Sequence, residues 1–219
     1  MTYKIKILTL LISCNIFADY QITVLATNIS NYGGFGEWSF SALYESDKES
    51  ILFDTGFHED TVLHNAKILG KDLSKVNKVV LSHFHSDHTG GLIKLRKTYK
   101  NINKNAFSEV YVARGFFDQR FYKDGSKEGP GNFKDSSKFK QKAEEEGIKF
   151  IILDNHMMIS ENLYVTGTVE RTVEKYNGPM GFFLDEQLTI PDIIKDDQSV
   201  GMLTLSLIHI SEPTRLRSI

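Results

Sequence analysis

Between positions 20 and 166 the spacing of apolar residues repeatedly switches between a period near two and a period near 3.6. Tyr20 to Thr27 alternates loosely, as a strand does. Ser39 to Tyr44 and Ser50 to Phe53 read as a hairpin across the polar turn Glu45 to Glu49. From Asp60 to Leu69 the spacing turns helical, with Val62, Leu63, Ala66 and Leu69 on one face and Gly70 as the stop. Lys78 to Ser82 is a short, β-branched run predicted to be a buried strand, Gly91 to Tyr99 a helix, and Glu109 to Ala113 another strand. Residues 115–147 are more polar, carry Gly125 and Gly129-Pro130-Gly131, and include a charged helix over Ser136 to Glu146 whose acidic end reads as solvated. This stretch is expected to be an insertion over the sheet, not a second domain. Strands resume at Lys149 to Leu153 and Asn162 to Thr166. Alternating strands and helices predict an α/β sandwich.

The two ends stand apart from this pattern. Met1 to Ala18 has two early lysines, the apolar run Ile7 to Ile12 and a small residue at Ala18, the three-part form of an export signal. Cleavage after Ala18 is one expectation. Lipidation of Cys14, in a lipobox-like Leu11-Ile12-Ser13-Cys14, is the other. Either places the domain outside the cytoplasm, as a periplasmic, extracellular or lipid-anchored protein. At the other end, Leu205 to Arg215 resembles, residue for residue, a translation of the transposon-end adapter used in preparing sequencing libraries. Residues 205–219, His209 among them, are therefore set aside from the expected fold.

Composition narrows the function classes. A chain of 219 residues with 25% charged and 41% hydrophobic positions is globular in type. Its 26 basic and 28 acidic residues argue against a broad nucleic-acid surface. One cysteine excludes an internal disulfide framework and a thiolate-rich zinc site. Past the leader no apolar run is long enough to span a membrane. The glycine-rich Asn31 to Gly36 lacks the following lysine-bearing helix that a phosphate-cradling loop needs.

The chemistry is concentrated in His83-Phe84-His85-Ser86-Asp87-His88, between a buried strand and the next helix. His83 and His85 are two apart on extended chain and project to the same side, so both imidazoles can serve one metal ion. Asp87 and His88 fall where the chain turns into the helix and can face a second ion. Mixed nitrogen and oxygen ligands suit zinc, with iron or manganese as alternatives. A loop at the carboxyl end of a strand is where an α/β fold exposes reactive groups.

Phe53-Asp54-Thr55-Gly56, followed by Leu81 to Leu92 with this motif at its centre, resembles the metallo-β-lactamase superfamily. The resemblance implies an αββα sandwich, a first metal on His83 and His85, a second on Asp87 and His88, and a supporting role for Asp54 behind the ligands. Leu163 to Arg171 and Ile190 to Ser199 resemble the branch that includes the dihydropterin-type phosphate synthases and their uncharacterised hydrolase-like relatives. Members of that branch continue into a Cys-Ser-His-like motif and a late histidine that complete the metal shells; here the adapter-like tail stands in their place, so the C-terminal part of the domain is expected to be missing. His156 is not expected to touch metal, His58 just after Asp54-Thr55-Gly56 is read mainly as a non-ligand with a rim or outer-shell role as the lesser alternative, and His64 is structural. Trp38 and the phenylalanines are expected in the core.

The resulting expectation is an exported hydrolase that carries two divalent metals and acts on a small-molecule ester, lactone, amide or phosphoester, with Asp87 holding the nucleophile. The alternatives are a transferase resembling the dihydropterin-type synthases and, for the chain as written, an inactive partial domain. Neither nucleic acid nor a membrane span is expected, and oligomeric state is not legible.

Overall fold

The computed structural model describes residues 20–30, 32–130, 135–173, 176–203 and 208–211. The leader and most of the 205–219 segment lie outside the described residues. In chain order the strands are β1 (Gln21–Ala26), β2 (Ser41–Glu45), β3 (Ser50–Phe53), β4 (Val76–Val80), β5 (Glu109–Ala113), β6 (Arg120–Tyr122), β7 (Lys127–Glu128), β8 (Lys149–Leu153), β9 (Met157–Met158), β10 (Leu163–Val165), β11 (Phe182–Phe183), β12 (Val200–Leu203) and β13 (Ile208–Ser211). The α-helices are α1 (Thr61–Ile68), α2 (Ser86–Thr89), α3 (Leu92–Tyr99) and α4 (Ser136–Glu145).

Strand alternation sends neighbouring side chains into two different cores. A six-stranded sheet runs β1-β2-β3-β4-β5-β8, antiparallel through the β2–β3 hairpin and parallel from β3 to β8. Leu43, Leu52, Val79 and Val110 leave one face and pack with Val62 and Ala66 of α1, Leu92 and Leu95 of α3, and Phe139 and Ala143 of α4. Their neighbours Tyr44, Ile51, Phe53, Val80 and Tyr111 leave the other face and meet Leu163, Val165, Val200 and Met202 of a second sheet, β13-β12-β10-β9. Leu43 pairs with Leu52 and Tyr44 with Ile51, so the register itself sorts each pair into one core. The described residues thus form three layers of the expected αββα sandwich, helices on sheet on sheet. The 208–211 segment, set aside on sequence grounds, is placed as a strand antiparallel to β12.

Three expectations need correction. The α1 face is narrower than its spacing implies: Val62 and Ala66 are buried but Leu69 is 44% exposed, because the helix stops at Ile68 and Leu69 lies beyond its last regular turn. Trp38 is 53% exposed and Phe57 is 40% exposed; both line a cleft outside the core. The 115–147 stretch does not simply cover the sheet. Its strands β6 and β7 join β11 in a third small sheet, and it buries Arg120 and Glu128 beside the histidine loop. No helix among the described residues is long and apolar enough to cross a membrane.

Candidate metal centre

Parallel pairing sets the site. Strands β3 and β4 end side by side, so Asp54 and Ser82 leave the same sheet edge, and the Asp54 N–H still donates to Val80 O at 2.8 Å. Asp54 has a left-handed backbone, φ +56°, an uncommon conformation for a residue other than glycine. That turn lays its fully buried carboxylate under the histidine loop. The loop is then closed from above. Thr55 N–H donates to His88 O at 2.7 Å, and Gly90 N–H to Gly56 O at 2.9 Å. A Cβ at Gly90 would lie 1.8 Å from Phe57 O, so only glycine permits this approach.

The hydrogen bonds assign the imidazole protons. A carboxylate only accepts, so His88 Nδ1 donates to Asp54 Oδ2 across 2.7 Å. Asp54 also accepts from Ser82, at 2.7 Å from its N–H and 2.9 Å from its hydroxyl. The hydroxyl proton being committed there, Ser82 Oγ accepts from His83 Nδ1 at 3.0 Å. His85 is reversed: its Nε2 donates to Asp192 Oδ2 at 3.0 Å, and its Nδ1 is buried with no hydrogen-bond partner. The atoms left to offer a lone pair are therefore Nε2 of His83, Nδ1 of His85 and Nε2 of His88.

Ligand atoms of His83, His85 and Asp87 lie within 4.8 Å of one another, all three residues buried. His88 Nε2 lies 3.6 Å from Asp87 Oδ2, and the His88 ring lies 4.3 Å from that of His83, so His88 adjoins both. A buried imidazole nitrogen with no partner, a carboxylate beside it and far nitrogens pinned by anions fit a divalent metal centre. All four motif residues and Asp54 thus come together. His58 does not line the cleft at this centre; it borders a separate hollow beside Glu37. His64 bonds Gly33 O at 2.7 Å and stacks on Phe35, a structural role. His156 is exposed.

Sequence reasoning missed the anions and cation behind His85. Arg120, 1% exposed, donates from Nε to Asp192 at 3.2 Å and pairs through Nη2 with Asp196. Its Nη1 donates to the carbonyls of Phe116 and Asp118. Asp196 also accepts from Phe84 N–H at 2.9 Å. Burial works against ionising Asp192, but the His85 hydrogen bond and the Arg120 charge outweigh it and hold the carboxyl at about 2. Burial wins at Asp196, which rises to about 6 despite Arg120, with Asp192 adding repulsion. Gln198 donates to Leu81 O and Tyr111 O, fastening the same segment to the ends of β4 and β5. The sequence signal was present in Asp192 to Gln198, but as a mark of resemblance only. Arg120 carried none.

A cleft of about 320 Å³ opens over the centre, with Trp38, Phe57 and Phe182 as apolar walls and His85, Asp87 and Glu128 as polar ones. Phe182 stacks on His85, ring centroids 4.7 Å apart.

Comparison with known proteins agrees with this geometry. Over 197 residues the chain is 24% identical to the 7,8-dihydropterin-6-methyl-4-(beta-D-ribofuranosyl)-aminobenzene-5'-phosphate synthase of Methanocaldococcus jannaschii, covering 85% of this chain and 64% of the synthase. An uncharacterized protein of that organism is 35% identical over 72 residues, 33% of this chain and 28% of that protein. The fold is similar to a crystal structure described as a metal-dependent hydrolase of the beta-lactamase superfamily, with TM-score 0.64 and 26% identity over 88% of this chain and 64% of that one. The chain therefore spans just under two thirds of the length of the synthase and of that hydrolase. The family profile described as Metallo-beta-lactamase superfamily matches residues 39–160, which hold Asp54 and the whole histidine motif. With the fold, the pinned imidazoles and that match in agreement, this chain belongs to the metallo-β-lactamase superfamily.

Proposed function

We propose that the protein is a metal-dependent hydrolase acting on an ester, lactone, amide or phosphoester of a small molecule, with His83, His85, Asp87 and His88 as ligands to two divalent metals, zinc first among the choices. The observation that carries this reading is the convergence of His83, His85 and Asp87 ligand atoms within 4.8 Å. When bound, the metals supply Lewis acidity that brings a water's pKa near 7 and polarises the attacked oxygen. The protein's own part is to hold and orient. Asp54, Ser82 and Asp192 hold the imidazoles in the tautomers that leave three nitrogens facing inward. Asp87, which lines the cleft beside His83 and His85, is placed to orient the nucleophile, and Trp38 and Phe57 border the space the substrate enters. The proposal includes export, by cleavage after Ala18 or lipidation at Cys14; cell fractionation of a Cys14→Ala variant separates the two routes.

The test is metal stoichiometry and hydrolysis of an ester, lactone, amide and phosphoester panel by wild type and His85→Ala. Loss of both in the variant is expected; full stoichiometry and full turnover in His85→Ala would sink the reading. A transferase reading draws on the likeness to the Methanocaldococcus jannaschii synthase. A turnover screen with pterin and phosphate-ester substrates separates them, since a transferase passes a group from one substrate to another whereas a hydrolase passes it to water.

A further inference from the structure

Away from the metal centre, the six-stranded sheet ends in an edge that nothing blunts. Strand β8 is its last member, and among the described residues no strand pairs with the outer side of β8. The inner side pairs with β5 in unbroken register, from Glu109 with Lys149 to Ala113 with Leu153. Lys149 N–H donates inward, to Ser108 O at 2.7 Å. Alternation along a parallel ladder then turns the N–H and C=O of Lys149, Ile151 and Leu153 toward β5, and those of Phe150 and Ile152 outward. Soluble proteins blunt such edges with a bulge, a proline or a charge. The opposite edge follows that rule, since the register of β1 slips between Val24 and Ala26. Phe150 to Leu153 carries none of these devices, and Ile152 is 55% exposed.

The outward groups are self-complementary. A two-fold axis at Ile151, perpendicular to the sheet, sets a second β8 antiparallel to the first. Phe150 of each copy then stands opposite Ile152 of the other. Phe150 packs on the helix-side core and Ile151 on the other, so strand alternation puts Ile152 on the same side as Phe150. Both members of each pair carry outward N–H and C=O, as the hydrogen-bonded pair of an antiparallel ladder requires. The exposed Ile152 gains an aromatic cross-strand neighbour. Helix α4 extends the match. On one flank Lys142 and Glu146 face α3, where Glu146 meets Lys97 and Lys100. Lys140 and Glu144, 4.0 Å apart, lie on the other flank, above the open edge. The same axis runs the two α4 helices antiparallel, so Lys140 of each faces Glu144 of the other.

We infer that this edge is an interface between two copies of the chain, with β8 paired antiparallel to β8 and α4 beside α4. The contact joins the two six-stranded sheets into one. None of the residues lining the metal cleft belongs to β8 or α4, so it is independent of the hydrolase reading.

The test is sedimentation equilibrium of the full chain, with amide exchange followed by NMR at low and high protein concentration. A monomer–dimer equilibrium is expected, with the Phe150 and Ile152 amides exchanging about tenfold more slowly in the concentrated sample. Ile152→Lys should weaken the dimer about tenfold or more by removing that apolar contact, with Tm as in wild type. Lys140→Glu and Glu144→Lys should each weaken it alone and restore it when the two variants are mixed, because the mixed dimer has opposite charges at both helix contacts. A wild type that stays monomeric overturns the inference. So does a dimer whose Phe150 and Ile152 amides exchange freely, which places the interface elsewhere. Protection of those amides in the monomer overturns it too, because another segment of the chain then occupies the edge. Should Ile152→Lys fail to fold, the exchange and mixing results still decide.

Discussion

His88 and His85 are held by the same chemical device, and the two versions differ in how far along the chain the device reaches. His88 is pinned by Asp54, 34 residues away, in the turn just after strand β3, the parallel neighbour of β4. His85 is pinned by Asp192, 107 residues away, on a loop that Gln198 ties to the sheet. Asp54 accepts hydrogen bonds from Ser82 and His88, whereas Asp192 also pairs with a buried arginine from a third region of the chain. One side of the centre is thus fixed by strand pairing and local turns, the other by a charge cluster that brings distant segments together.

Breaking the distant side should have the largest effect on stability. Arg120→Met leaves Asp192 and Asp196 buried beside each other without their cation, which costs about 3–5 kcal/mol when one partner of a buried pair is removed. Urea unfolding checks this, and a loss below about 1 kcal/mol would show the cluster to be incidental. Asp192→Asn and Asp54→Asn sharpen the comparison directly. Each removes the anion behind one imidazole, and each is expected to lower metal affinity about 10- to 100-fold by chelator competition. If Asp54→Asn weakens metal binding and Asp192→Asn does not, the distant clamp serves only the fold. Gly90→Ala probes the near side without touching a charge: its Cβ would meet Phe57 O at 1.8 Å, and the forced shift should destabilise by about 1–3 kcal/mol in thermal melts.

The smallest effect is expected far from the centre. Asp135 caps α4 by accepting from Ser137 N–H and Lys138 N–H, and its bonds to Ser137 and Lys127 hold its carboxyl well below the usual range. Asp135→Ala should cost about 1 kcal/mol. Because the folded state depresses this pKa, the contribution is complete above the unfolded value near 4 and fades as pH falls below it. The gap between wild-type and variant Tm should therefore close in acid. A gap that persists unchanged at low pH would mean that packing, not the cap, is being measured.

The same difference in reach explains what was legible in the sequence. Strand alternation at Leu43/Tyr44 and Leu52/Phe53 and helical spacing at Val62/Ala66 are local, and they located the sandwich. Four metal-ligating residues in six positions located the centre for the same reason. Arg120 gave no sign, because a lone arginine in a polar stretch is normally solvated, and only the tertiary fold turns it inward. Glu128 sat in the same stretch with the same disguise. Trp38 failed in the other direction: an aromatic residue is core by default, and here it borders a cleft instead.

The 107-residue reach from His85 to Asp192 also orders events in time. A chain emerging from the ribosome displays Asp54, Ser82, His83 and His88 within one early span, so those contacts can form while synthesis continues. The partner of His85 Nε2 is present only once Asp192 has been made and its loop has folded back. The His88 side of the centre therefore needs only residues 54–88, whereas the His85 side is complete only once residues 120 and 192 are both in place.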